Sequence, residues 1–155
     1  MIVLVECYHD AALVKALGVR RRDLRHEGCK GNVVKGLRKA RQDAVGLLDA
    51  DPQGGGRPGE LANYAETDTA PGLRLLEHRR DRSKRVIEMS PRLEEWLVGR
   101  AASCGVRLAV HDLPETAREL HRNPRCDRKP GFRPFLDALL RADEAMQALQ
   151  RWLRG

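Results

Sequence analysis

Two aspartates spaced two residues apart, Asp49 and Asp51, are the side chains of this sequence best placed to do chemistry. They close the apolar run Ala44-Val45-Gly46-Leu47-Leu48 and are followed by Pro52 and the glycines Gly54 to Gly56. An apolar run bounded in this way reads as a buried strand ending in a loop. Side chains two apart on a strand share a face, so both carboxylates lean one way and Ala50 the other. Carboxylates this close repel each other, and a divalent cation held by hard oxygen ligands is the usual remedy. A second acidic pair lies near the start of the chain. The β-branched-rich run Ile2-Val3-Leu4-Val5 ends in Glu6, and Asp10 follows four residues on. That spacing lets both carboxylates address one point near a helix start, where the helix dipole alone would also favour acids. Glu88, at the end of Val86-Ile87, and Glu94, in the first turn of a helix, are further acids able to complete a metal site. Solvation of Glu88 and the helix dipole at Glu94 are the competing accounts.

A phosphate-binding element is the other chemical candidate. Gly28-Cys29-Lys30-Gly31-Asn32 precedes Val33, Val34, Leu37 and Ala40 at helical spacing. A glycine-rich turn feeding a helix N-terminus can cradle a phosphate, which makes Lys30, Gly31, Asn32 and Lys35 the candidates. The G-x-x-x-x-G-K-[ST] spacing of a Walker A motif is absent, and an ordinary strand–helix turn has the same composition. The histidines His9, His26, His78, His111 and His121 show no ligand spacing and read as incidental. Cys7, Cys29, Cys104 and Cys126 form no C-x-x-C pair, so zinc is not indicated.

These residues need strands and helices to position them. Ala11, Ala12, Leu13, Ala16 and Leu17 recur at helical spacing until Gly18, and residues 19–25 read as a polar second strand near an edge. Residues 52–72, rich in glycine, proline, acids and threonine, are expected to form a long loop. A short arginine-rich helix over 73–82, a brief strand over 86–89 and an amphipathic helix from Leu93 to near Gly105 follow. Residues 107–114 read as a loop or short strand, 114–121 as a short helix and 123–134 as a basic loop. Residues 132–153 are expected to close the chain as one helix whose apolar side is core or a partner interface. Strand and helix thus alternate as in a parallel α/β sheet, and such sheets bind ligands at the C-terminal ends of their strands. The expected organisation is an α/β core over 1–110, with a helical C-terminal extension over 111–155 packed on the same domain.

Composition bounds the function classes. With 155 residues the chain is one domain, and 41% apolar with 33% charged residues describes a soluble globular protein. Aromatics at 4% disfavour base stacking on an aromatic platform. The net charge of +7, mainly from arginine, suits a polyanion partner such as nucleic acid. No apolar stretch approaches membrane-spanning length, and Met1 to Val5 is too short for a signal-peptide core. A cytoplasmic protein with reduced thiols and no membrane partner is expected.

Beside this reading, the chain resembles the Toprim domain of topoisomerases, primases and OLD-type nucleases. Val3-Leu4-Val5-Glu6 with Asp10 is similar to the strand-Glu-Gly-x-x-Asp/Glu start of the family, with Cys7 at the usual glycine. Leu47-Leu48-Asp49-Ala50-Asp51 is similar to its Asp-x-Asp strand. Gly28-Cys29-Lys30-Gly31-Asn32-Val33 and Pro91-Arg92-Leu93-Glu94-Glu95-Trp96-Leu97 resemble a turn and an acidic, Trp-containing helix start of small OLD-like members. The resemblance covers roughly the first two thirds of the chain. It implies a Toprim-like, Rossmann-like, mostly parallel sheet flanked by helices, and a Mg²⁺- or Mn²⁺-dependent nuclease acting on DNA or RNA. Asp49 and Asp51 would hold the cation, and Glu6 would be a ligand or a general base. Asp10, with Glu94 or Glu88, would hold a second metal, and Lys30 with nearby arginines would neutralise phosphates. Neither Tyr8 nor Tyr64 lies in a context for covalent attack, so hydrolysis is expected rather than strand passage. Standalone members of this size often work beside an ATPase, so such a protein partner is expected too. The rival readings are a non-catalytic Toprim-like module binding nucleic acid or a protein partner, and a flavodoxin-like nucleotide-binding protein using the Gly28–Gly31 turn.

Overall fold

A computed structural model of the chain describes residues 1–50, 59–123 and 125–155. The apolar runs read above become strands β1 (Ile2–Val5) and β3 (Ala44–Asp49), and the helical spacings become α1 (Tyr8–Ala16) and α2 (Lys30–Lys39). Of the predicted polar strand, only β2 (Leu24–His26) forms, after a 3-10 turn at Arg21–Asp23. Beyond β3 come β4 (Tyr64–Ala70), β5 (Leu73–His78), β6 (Asp81–Met89) and α3 (Leu93–Cys104). The chain closes with α4 (Ala117–Arg122), α5 (Phe132–Ala142) and α6 (Glu144–Arg154).

The strands form one six-stranded sheet in the order β2-β1-β3-β6-β5-β4. β2, β1, β3 and β6 run parallel, while β5 and β4 add antiparallel at the other edge. This is a mostly parallel mixed sheet flanked by helices, compatible with a Rossmann-like fold. Period-two alternation splits the core into two layers. Val3, Val5, Val45, Leu47, Ile87 and Met89 join one cluster with residues of α1, α3, α5 and α6. Ile2, Leu4, Ala44, Leu48 and Val86 face the other way and pack with Val33, Val34 and Leu37 of α2. Helix α2 lies directly on the sheet because two glycines let it. A Cβ at Gly46 of β3 would stand 2.7 Å from Val33 Cγ1, and one at Gly36 of α2 would stand 2.4 Å from Leu4 Cδ2.

Three element expectations are corrected. The predicted helix over 73–82 is the β5 strand and the turn into β6, because pairing with strands on both sides overrides the helix-favouring Leu/Arg composition. Part of the predicted loop over 52–72 is β4, whose polar sequence belongs to an edge position where most of its side chains are exposed. The single C-terminal helix is two, broken at Asp143. Its extended backbone (φ −116°, ψ 123°) ends α5, and its carboxylate accepts from Met146 N–H at 2.9 Å to start α6. Arg100 of α3 clamps the same carboxylate through Nε at 3.0 Å and Nη2 at 2.5 Å. The apolar side of these helices, including Phe135, Leu139, Leu149 and Trp152, is buried in the chain's own core. Of the two expected roles, core is the one these residues fill. Among the described residues no helix is long and apolar enough to cross a membrane.

Candidate functional site

Because four strands run parallel, their C-terminal ends share one edge of the sheet, which brings Glu6, His26 and Asp49 to the same end. Three helices start there, and each meets a carboxylate at its exposed N–H groups. Asp49 Oδ1 accepts from Leu93 N–H at 3.0 Å, the first residue of α3. Asp10 Oδ2 accepts from Cys7 N–H at 2.9 Å, and Cys7 Sγ accepts from Asp10 N–H at 3.4 Å, a reciprocal cap on α1. Glu6 Oε1 accepts from Asp49 N–H at 2.9 Å and the Glu6 carboxylate also takes the Lys30 N–H that opens α2. Cys7 has an ordinary extended backbone (φ −134°), so this turn does not require glycine.

Capping accounts for the positions of these acids but leaves their charges in conflict. Burial, then Asp10, Glu6 and Glu94, push the Asp49 carboxyl up to about 8. Burial, with Glu6 and Glu94 adding to it, pushes Asp10 up to about 6. Glu6 is also raised by burial, against the opposing pull of Asp49 N–H and the Lys30 cation. The structure thus brings three of the expected acids, Glu6, Asp10 and Glu94, into electrostatic reach of a fourth, Asp49. Such a set of hard oxygen donors, desolvated and short of positive charge, fits a Mg²⁺ or Mn²⁺ ion in chemistry. Among the described residues, no three ligand-type side chains already stand at the separations of a formed metal site.

The remaining candidates fall differently. Asp51 lies outside the described residues. Glu88 shares the α2 face of the sheet with Val86, away from the face of Asp49, and its Oε2 pairs with Arg74 Nη2 at 2.5 Å. Strand alternation puts it there. Lys30 stands at the mouth but serves Glu6, so the anion nearest the α2 start is the chain's own. Asn32 Nδ2 donates to Glu27 O at 2.9 Å and closes the turn that Gly28 makes with φ +81°. Gly31 and Lys35 are exposed on α2, and a Cβ at Gly31 would meet nothing within 4 Å.

The sequence reading missed one pair. His9 is buried, and its Nδ1 stands 3.0 Å from Glu94 Oε1, with His121 Nδ1 at 3.5 Å from the same oxygen. The Glu94 hydrogen bond holds His9 above its ordinary range against burial. Burial would raise Glu94, but His9 and His121 outweigh it and hold the carboxyl low. The Asn123 backbone adds to the rise at His9. His9 and His121 are therefore not incidental: they keep Glu94 ionised beside Asp49 and Asp10. Their signal was a histidine one residue before Asp10, which is weak without knowledge that α1 and α3 touch.

Comparison of the chain with protein-family models, with curated proteins and with solved structures gives no match.

Proposed function

We propose that the chain is a Mg²⁺- or Mn²⁺-dependent phosphodiesterase acting on nucleic acid, built on a Toprim-like sheet. The observation that carries this reading is Asp49, held at a parallel-strand end among Glu6, Asp10 and Glu94, with its carboxyl raised to about 8. Glu6, Asp10 and Asp49 would hold the cation, with Asp51 beside Asp49 in sequence. When bound, the ion supplies a nucleophilic water and stabilises charge on the phosphodiester. The chain's own groups do the rest. Lys30 and the start of α2 present positive charge at the mouth. His9 and His121 fix Glu94 as an anion, which keeps the donor set negative. Glu6, raised by burial, can hold or accept a proton within reach of Asp49.

A second reading has its own support. Asp10 is committed to a helix cap and Glu94 to two histidines, as in a fold that retains these acids for structure alone. In that case the chain binds nucleic acid or a protein partner without cutting. The test is incubation of single-stranded DNA, plasmid DNA and tRNA with Mn²⁺, Mg²⁺ or EDTA, with Asp49→Ala beside the wild type. Cleavage that needs the metal and falls at least about a hundredfold in the variant is the expected result. Metal-independent cleavage, or equal cleavage by both proteins, would remove Asp49 from the chemistry. Binding without any cleavage would favour the second reading.

A further inference from the structure

The chain's excess of positive over negative side chains is confined to one segment of the sequence. Residues 20–41 carry nine basic side chains against Asp23 and Glu27, an excess of seven, which is the net charge of the whole chain. All other residues together are balanced. That segment is the exposed β2 edge of the sheet and the helix that leaves it. Arg20, Arg21, Arg22 and Arg25 are exposed along the edge, and Lys35 and Lys39 are exposed on α2. Glu27, one of the two acids, is turned inward against Gly36 of α2. Where this flank reaches the mouth, Tyr8 is half exposed and stacks on His26 with ring centroids 4.4 Å apart and planes at 21°. The Arg125 guanidinium stands 4.4 Å from the Tyr8 ring centroid.

We infer that the β2–α2 flank is the track along which a nucleic-acid backbone approaches the carboxylates, and that the Tyr8–His26–Arg125 stack receives an unpaired base at its end. The inference deepens the phosphodiesterase reading, on which it rests for the direction of approach. It names the substrate class as single-stranded nucleic acid or the unpaired end of a duplex. A row of exposed arginines and lysines neutralises phosphates whatever the sequence. An aromatic stack carrying a cation extends by one more ring at little cost, and only an unpaired base can supply that ring. The flank suits an anionic membrane less well. Among the described residues, the large exposed hydrophobics are Tyr8 and Val110, so apart from Tyr8 at its end the flank has no large apolar side chain to insert.

The test is binding of fluorescently labelled DNA, single-stranded and duplex, measured by anisotropy over a salt series in EDTA. The EDTA makes it independent of whether the protein cleaves. The combined Arg21→Ala, Arg22→Ala, Lys35→Ala, Lys39→Ala variant should bind at least about tenfold more weakly, with its log–log salt slope shallower by about 3. Removing Arg79, Arg80 and Arg82, exposed around the β5–β6 turn on the other side of the sheet, should change neither. Tyr8→Ala should weaken single-strand binding by about tenfold and leave duplex binding unchanged. Circular dichroism checks that each variant is folded. Wild-type affinity and slope in the flank variant would overturn the track, as would an equal loss in the β5–β6 variant. Flank-dependent capture by phosphatidylserine vesicles without binding of either DNA would overturn it as well. Equal losses for single strand and duplex in Tyr8→Ala would overturn the unpaired-base assignment.

Discussion

Asp49 is a carboxyl that folding makes less acidic, and this has a sign that can be measured. In the unfolded chain it ionises near 3.8, whereas in the fold it keeps its proton up to about 8. Between those values the folded state binds more protons than the unfolded one, so stability falls as pH rises through that window. Asp10, raised to about 6, adds to the fall over its acidic part. The Asn variant keeps an oxygen for Leu93 N–H and has no charge to bury. Asp49→Asn is therefore expected to be more stable than the wild type near pH 8, by about 2–4 kcal/mol in urea denaturation, and nearly equal to it near pH 4. Identical pH profiles for the two proteins would contradict the crowding of charge at this position. Asp49 was legible in the sequence because it ends an apolar strand, and Asp10 because it follows the strand-end Glu6 by four residues. His9 was not, because its partner Glu94 lies 85 residues away and a lone histidine carries no spacing to read.

At the scale of elements, the parallel half of the sheet was legible and the antiparallel half was not. β1 and β3 are buried on both faces, so their sequences are continuous apolar runs. β4 has one buried residue, Tyr64, and its remaining side chains obey no period that a sequence reading could use. The break between α5 and α6 escaped notice because neither Gly nor Pro marks it. Asp143 makes it instead, through contacts to Arg100 that are 43 residues distant. Burial alone would raise Asp143, and the Arg100 hydrogen bonds outweigh it. Asp143→Ala is expected to lose about 2–4 kcal/mol in chemical denaturation, because it uncaps α6 and leaves Arg100 without its partner. A loss below about 0.5 kcal/mol would show that the clamp is dispensable. Gly46→Val tests the α2 contact. Its side chain would enter the space of Val33 and Leu37, and a loss of about 1–3 kcal/mol is expected from the overpacking. A variant as stable as the wild type would mean that α2 is free to lift.

At the scale of the whole molecule, the parallel sheet gathers acids at one end and the β2–α2 segment gathers the excess positive charge along one flank. An acidic centre that binds a cation and a basic approach that binds a polyanion are complementary requirements of phosphodiester chemistry. Net charge led to the expectation of a polyanion partner, but only the sheet order shows that residues 20–41 lie at an edge beside the mouth. The most direct measurement is calorimetric titration of Mn²⁺ into the wild type and Asp49→Asn near pH 7, repeated in buffers of different ionisation enthalpy. Asp49 is protonated at that pH, so a cation that it ligates must displace a proton. The expected result is saturable binding to the wild type with release of about one proton per ion, and loss of both binding and release in Asp49→Asn. No saturable binding, or binding unchanged in Asp49→Asn, would contradict the assignment of these carboxylates to a metal-dependent site.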